Sequence, residues 1–273
     1  MRTQTAAQQR IRRLYHYQPF DLTRLTRTIV ERTIYCSNPA HFNDPWDCKP
    51  CFSKSFLDDT SKYDQIVQWF VDVGRKHNPL VEEDEHRRRA AILQSNRGLL
   101  ERMVAEATRG LEKAIAKQYR VYCLSTHPDA PLMWSHYAHS HQGICLEFSV
   151  QNELICAALP VQYRDTYPLF NLADDDVDAS LEVLLTKSDI WTYESEYRLI
   201  AAAPGYRAPG VLPTKDNHLK VPAGSLISVI LGCSMPNEQR ALVRSLIQDA
   251  GQGIALLSAQ RVPDRYAIQI SRE

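Results

Sequence analysis

The 273-residue sequence has no net charge, because its 32 Lys and Arg residues balance its 32 Asp and Glu residues. It therefore lacks the basic excess with which proteins coat nucleic acid or anionic membranes. It also lacks an apolar run long enough to cross a bilayer, and residues 1–13 lack the apolar segment of a secretory signal. We expect a cytoplasmic protein with no membrane partner.

Several chemical motifs are missing as well. The sequence has no P-loop, nucleophile elbow, EF-hand loop or kinase signature, and no strand followed by a Gly-rich turn of the Rossmann type. Its seven Cys are odd in number and irregularly spaced, which favours reduced thiols over disulfides. Cys48 and Cys51 form a single CxxC, and without a second such pair they are weak zinc ligands. We expect no metal.

The apolar periodicity that is present predicts an α+β fold in a single domain over residues 1–273. A mixed or antiparallel sheet forms the core, and a mainly helical insertion occupies about 56–120. Asp21 is predicted to cap one helix at its N-terminal end, and Gly251 to end another. Within the insertion, Gly74 is predicted to end a first helix, and 81–119 to form one amphipathic helix whose charged start, 82–89, is solvated.

The first candidate site is the segment 191–198, which contains two carboxylates. On a strand, Glu194, Glu196 and Arg198 would share one face, because alternate residues point the same way. Paired carboxylates split their pKa values and can stabilise positive charge on the anomeric carbon of a sugar. A surface ion-pair ladder explains the same spacing equally well, but Trp191 and Tyr193 could shield the acids from water.

The second candidate is segment 133–141, which is rich in aromatic residues and His. A helix here would pair His136 with Ser140, and Tyr137 with His141, while Trp134 and Tyr137 suit stacking on a flat ring. The plainer alternative is a buried helix with exposed His side chains. A metal site is disfavoured because H-E-x-x-H is absent.

Two shorter segments complete the candidates. Asn43 and Asp44, in the sequence Phe42-Asn43-Asp44-Pro45-Trp46-Asp47, either bond their own backbone in a turn or anchor a ligand or Arg198. His16 lies between two Tyr on the first predicted strand, where it is either a core residue or a contact for a ribose.

Together these segments resemble a widespread bacterial family of unknown function. The resemblance is carried by Leu14–Tyr17, by Phe42–Asp47 as an F-N-D-P-[FW]-D motif, by Met133–Ala138, and by Trp191–Arg198 as W-x-Y-E-x-E-Y-R. It spans nearly the whole chain, but that family implies no activity.

The order of the segments is also similar to that in ADP-ribosyltransferases of the diphtheria-toxin and DNA-modifying toxin type. This resemblance implies an ADP-ribosyltransferase-like fold with NAD as substrate. Glu196 would hold the ribose and stabilise the transition state, and Glu194 would orient the acceptor. His16 would contact the ribose and Tyr137 would stack on nicotinamide. The full set of implied NAD-binding residues is His16, Tyr17, Asn43, Trp134, Tyr137 and Arg198, of which Asn43 and Arg198 would contact phosphate or support the other residues.

The leading hypothesis is therefore an NAD-dependent ADP-ribosyltransferase, a toxin or phage-defence effector that modifies nucleic acid or protein and has an antitoxin or immunity partner. The first alternative is a metal-dependent nuclease or phosphoesterase with Mg²⁺ or Mn²⁺ held by Asp44, Asp47, Glu194 and Glu196, with Lys187 nearby. The second alternative is a non-catalytic ligand-sensing or interaction domain, in which the acids and Arg198 form a structural network.

Overall fold

The computed structural model describes residues 4–169, 179–207 and 210–273. Within these ranges the chain is an α+β structure built on a mixed, mainly antiparallel sheet, as the sequence predicts. None of the described helices is long and apolar enough to cross a membrane.

The strands, in chain order, are β1 Arg13–Gln18, β2 Thr33–Tyr35, β3 Tyr119–Ser125, β4 Ile144–Ser149, β5 Leu159–Pro160, β6 Gln162–Arg164, β7 Thr186–Ser188, β8 Glu196–Ala202, β9 Leu212–Pro213, β10 His218–Lys220, β11 Leu226–Leu231, β12 Ala255–Arg261 and β13 Ile268–Arg272. The α-helices are α1 Leu22–Ile29, α2 Thr60–His77, α3 Glu83–Ser95, α4 Arg97–Gln118, α5 Pro131–Tyr137, α6 Ala179–Leu185 and α7 Asn237–Ala250.

The main sheet has the order β13-β12-β11-β4-β1-β3-β8-β5, with β9 beside β8. Only β11–β12 and β8–β9 are parallel among its described pairs. The central strand β1 pairs with β4 along its whole length, but with β3 only where Tyr15 faces Ser125. Beyond that single pair β1 and β3 diverge, and the space between them becomes a cavity.

The two faces of the sheet carry separate apolar clusters because alternate strand residues point to opposite sides. Leu146 and Leu231 belong to the cluster that packs under α1 and α7. Their neighbours Cys145 and Ile230 belong to the cluster on the other face, with Trp134 of α5. The sheet is therefore buried on both sides at its centre, where the cavity lies.

The helices predicted for about 56–120 are present as α2, α3 and α4, but two details of the prediction are wrong. Helix α2 continues past Gly74 to His77. The single helix predicted for 81–119 is broken at Asn96, whose side chain caps α4 by accepting from the N–H of Leu99 at 3.0 Å. The break resets the helical phase, so Leu93 is buried and the predicted inward residue Ile92 is 53% exposed.

The helix ends predicted at Asp21 and Gly251 are confirmed. The Asp21 carboxylate accepts from the N–H of Arg24 at 2.9 Å at the start of α1. Gly251 ends α7 in the left-handed conformation, with φ 59°, where a glycine costs least. The charged start of α3 is solvated as predicted at its acids, since Glu83, Asp84 and Glu85 pair with exposed Arg side chains. His86 in the same run is instead buried at 3% exposure.

Candidate functional site

A cavity of about 340 Å³, here called the central cavity, opens between the diverging strands β1 and β3. It is lined by residues from β1, the loop after β2, β3, α5, β7 and the start of β8. Six of the predicted site residues line it, namely His16, Tyr17, Asn43, Tyr137, Glu194 and Glu196. The two remaining predicted residues, Trp134 and Arg198, are not among its lining residues.

The predicted extended conformation is wrong at Glu194, whereas Glu196 and Arg198 lie on a strand as predicted. Glu194 ends a 3₁₀ helix, Asp189–Glu194, and Ser195 then takes the left-handed conformation with φ 44°, so that β8 begins only at Glu196. The hydroxyl of Ser125 on β3 holds this turn by donating to the carbonyl of Glu194 at 2.6 Å. The acids still converge, because the turn brings the Glu194 side chain back over the start of β8.

Lys187 forms ion pairs with all three carboxylates of the cluster. Its ammonium donates to Glu194 and to Glu196, the latter at 3.3 Å, and lies 3.7 Å from an oxygen of Asp47. Helix α6 ends at Leu185, and Lys187 lies on β7, buried among the acids. The sequence gives Lys187 a chemical role in the nuclease alternative, and its place two residues after the apolar run 183–185 is a signal that it could be buried.

Arg198 is completely buried and binds two carboxylates at once. Its guanidinium donates to both oxygens of Glu196 at 2.8 Å and to both oxygens of Asp47 at 2.9 and 2.7 Å. Such paired contacts are strong and directional. The predicted phosphate contact by Arg198 is therefore replaced by a supporting role, since the side chain has no exposed surface.

The acidic cluster carries one formal negative charge in excess, from Asp47, Glu194 and Glu196 against Lys187 and Arg198. Burial raises the pKa of Glu194, and the nearby Glu196 adds to this, whereas Lys187 opposes it. Burial alone would also raise the pKa of Glu196, but Arg198 and Lys187 outweigh it and lower that pKa to about 2. The three carboxylates likewise keep the pKa of Lys187 raised against the effect of burial. A cavity wall of this charge favours a cationic group.

Tyr137 lies beside the carboxylate of Glu194 at the end of α5. Its hydroxyl donates to Oε1 of Glu194 at 2.6 Å, while Lys187 donates to Oε2. Burial raises the pKa of Tyr137, so it remains a proton donor at neutral pH. Tyr137 was placed in the site from the order of segments alone, and the structure brings it into contact with Glu194.

His16 bridges the gap between β1 and β3. Its Nδ1 lies 2.7 Å from the carbonyl of Cys123, and its ring stacks on Tyr122 with centroids 4.1 Å apart. Burial lowers the pKa of His16 to about 4. The ring is therefore neutral at pH 7, and because Nδ1 must donate to the carbonyl, Nε2 is the acceptor nitrogen.

The predicted stacking role of Trp134 is wrong. The side chain is 0% exposed, its Nε1 donates to the carbonyl of Pro128 at 2.8 Å, and its ring meets Tyr17 edge to face. Trp134 is thus a core residue beneath the cavity wall. Tyr17 does line the cavity, but its hydroxyl already donates to the carbonyl of His127 at 2.6 Å.

The predicted side-chain pairs beyond α5 do not form on a helix, because α5 ends at Tyr137. His139, Ser140 and His141 all have positive φ and turn the chain back toward β4. A close approach at Gly143 completes the turn, since a Cβ there would lie 2.3 Å from the carbonyl oxygen of Gln18. The turn fixes the end of α5 against β1.

The loop 42–47 is tied to the site by its last residue. Asp44 accepts from the N–H of Trp46 at 2.9 Å, which is the local turn alternative, whereas Asp47 orients Arg198. Among the described residues, no three His, Cys, Asp or Glu side chains are grouped to hold a metal ion. Cys48 is buried beside Asp47, and all seven Cys are free thiols.

Comparisons of the chain with models of known protein families, with curated proteins and with solved structures found no match. The two resemblances noted in the sequence therefore stay predictions, and a functional proposal has to rest on the residues of the central cavity.

Proposed function

We propose that this protein is an NAD-dependent ADP-ribosyltransferase with an ADP-ribosyltransferase-like fold. The observation that carries the proposal is the excess negative charge on the wall of the central cavity. Glu194 presents that charge beside Tyr137, and His16 lines the same cavity from a separate strand. These three residue types come together in the order of segments that ADP-ribosyltransferases share, although they lie up to 178 residues apart in the chain.

The chemistry requires a negative group at this place. When the bond between nicotinamide and ribose breaks, positive charge develops on the ribose carbon, as in glycoside hydrolysis. A carboxylate in a site shielded from water stabilises that charge far more than one in water. Glu194 suits this role better than Glu196, which the sequence ranked first, because two cations bind Glu196, namely Arg198 at both oxygens and Lys187 at one. Glu194 is bound by one cation, Lys187, and by the neutral hydroxyl of Tyr137.

The other cavity residues have roles that follow from their contacts. The acceptor Nε2 of neutral His16 can take a hydrogen bond from a ribose hydroxyl, and the ring of Tyr137 can stack on nicotinamide. Asn43 lies on the cavity wall as a further polar contact. Lys187 and Arg198 hold the acids in place. The acceptor, nucleic acid or protein, and the roles as a toxin or phage-defence effector with an antitoxin or immunity partner remain predictions of the sequence.

The contacts of Lys187 argue against the nuclease alternative, whereas those of Arg198 argue for the interaction-domain alternative. A nuclease metal would have to lie between Asp47, Glu194 and Glu196, where the ammonium of Lys187 already lies. The interaction-domain alternative is favoured by one observation, the buried Arg198 with its two carboxylates, which acts as a structural network whether or not the cavity is catalytic.

The test is the release of nicotinamide from NAD by the purified protein, with NAD binding measured by calorimetry. Glu194→Gln should lower turnover by at least about 100-fold and leave binding nearly unchanged, because the charge acts mainly in the transition state. Glu153→Gln, an exposed acid outside the cavity, is the matched control. Absence of NAD binding by the unaltered protein would contradict the proposal.

A further inference from the structure

A second cavity of about 380 Å³, here called the lateral cavity, adjoins the central cavity. The two share Asn43 and Lys187 as lining residues, so one wall belongs to both. The lateral cavity is bounded by the loop after β2, the segment after β6, and the strand β7 with the 3₁₀ helix that follows it. The mechanism proposed for the central cavity does not use it.

Aromatic rings wall the lateral cavity. Trp46 lines it while remaining 65% exposed, and Tyr167 and Trp191 line it as well. The ring of Trp191 also lies 4.9 Å from the ammonium of Lys187, so this indole stands at the boundary of the two cavities. Aromatic faces beside a cavity are suited to stacking on a flat ligand ring.

Two residues that line the lateral cavity each carry a buried polar atom without a hydrogen-bond partner in the part of the chain that the structure describes. Thr186 is 7% exposed, and its hydroxyl is buried without a hydrogen bond. The indole N–H of Trp191 is buried and unpaired in the same way. A buried polar group without a partner costs about 1–3 kcal/mol, so such groups are expected where a ligand completes them. Since an indole N–H only donates, the ligand must offer an acceptor atom at its edge.

We propose that the lateral cavity binds a purine or pyrimidine base. A nucleobase is flat, stacks on aromatic rings, and carries acceptor nitrogens or oxygens on its edge, which are the properties that these walls and unpaired donors require. Lys49 and Arg164 also line the cavity, where they pair with the part-exposed carboxylates of Glu112 at 2.8 Å and Glu182 at 3.0 Å, and an attached phosphate would compete with those partners. The base has two sources that rest on the proposed function, namely the adenine half of NAD or a base of a nucleic-acid acceptor.

The test measures binding by calorimetry with three probes, namely AMP, a short single-stranded oligodeoxynucleotide, and NAD. Thr186→Val keeps the shape and removes the unpaired hydroxyl, so it should weaken base binding about fivefold while leaving the melting temperature unchanged or higher. Trp46→Ala should weaken it about tenfold. Ser225→Ala, another buried unpaired hydroxyl, and Tyr266→Ala, a fully exposed aromatic, are the matched controls outside both cavities.

The pattern of losses identifies the source. If AMP and NAD binding weaken together, the occupant is the adenine of NAD, and if oligonucleotide binding weakens while NAD binding does not, the occupant is an acceptor base. Binding of all three probes that is the same in Thr186→Val and Trp46→Ala as in the controls overturns the inference, as does failure of all three to bind. If the two variants bind all three probes like the controls and NAD turnover persists, the inference fails and the proposed function stands. If binding of AMP or the oligonucleotide weakens in the variants and the unaltered protein does not turn over NAD, the inference stands and the proposed function fails.

Discussion

Arg198 and Asp47 lie 151 residues apart in the chain and are joined by two hydrogen bonds, 2.9 and 2.7 Å long, with both side chains buried. The pair ties the loop after β2 to the strand that begins at Glu196. It therefore fixes the loop that lines both cavities relative to Glu194 and Glu196. Breaking the pair should lower both the stability of the fold and the activity of the site.

Asp47→Asn should destabilise the fold by about 2–3 kcal/mol, because the amide can replace only one of the two charge-assisted hydrogen bonds that Asp47 accepts from buried Arg198. Urea denaturation followed by circular dichroism gives the free energy of unfolding. Asp58→Asn is the matched control, since its pair with Arg97 is exposed and should contribute less than about 1 kcal/mol. Equal losses in the free energy of unfolding would show that the buried pair stabilises the fold no more than the exposed pair does.

Acid should destabilise the protein as the pH falls from about 4.5 to about 2. The pKa of Glu196 is lowered in the folded state to about 2, so the folded protein binds this proton less readily than the unfolded chain. Its contribution, up to about 3 kcal/mol, is present above pH 4.5 and is lost as the pH falls toward 2. Thermal melts between pH 6 and pH 2 measure the loss. Glu196→Gln should show a flatter dependence on pH over that range, and an equally steep one would contradict the assignment.

The turnover of NAD should depend on the ionisation of Glu194. Because burial raises the pKa of this carboxyl and only the carboxylate stabilises the ribose cation, turnover should rise as the pH rises through that raised pKa. Tyr137→Phe removes a hydroxyl that donates to the carboxylate, so the rising limb should move to higher pH. Turnover measured against pH at saturating NAD checks both statements, and an unmoved limb would refute the second.

Gly143→Ala should destabilise the protein by about 1–3 kcal/mol, because the added methyl would lie 2.3 Å from one backbone oxygen and 2.9 Å from another. These oxygens belong to Gln18 and Ala138, so β1 and the end of α5 must shift, and Tyr137 with them. Gly110→Ala in α4 meets no atom within 4 Å and should instead stabilise by about 0.5–1 kcal/mol. The two unfolding curves, measured in urea, should move in opposite directions.

Local patterns in the sequence were enough to predict the elements that depend on near neighbours. The cap at Asp21 and the ending at Gly251 are short-range hydrogen-bond and backbone effects, and the apolar periodicity placed the helices of 56–120. The prediction failed at Asn96 because a single residue there was capping a new helix. A periodic stripe alone does not reveal such a restart.

The candidate site, like the fold, could be predicted from the sequence only in part. The amino-acid sequence by itself identified Glu194, Glu196, His16 and Tyr137, since their types and order carry chemical meaning without knowledge of the fold. Only the tertiary structure decided what each of them contacts. The divergence of β1 from β3 opens the cavity, and the left-handed turn at Ser195 redirects Glu194. Asp47 comes from a distant loop to join the two Glu, and Lys187 and Arg198 balance the three acids in part. Charges in a buried cluster act through distances in space, and separations along the chain do not determine those distances.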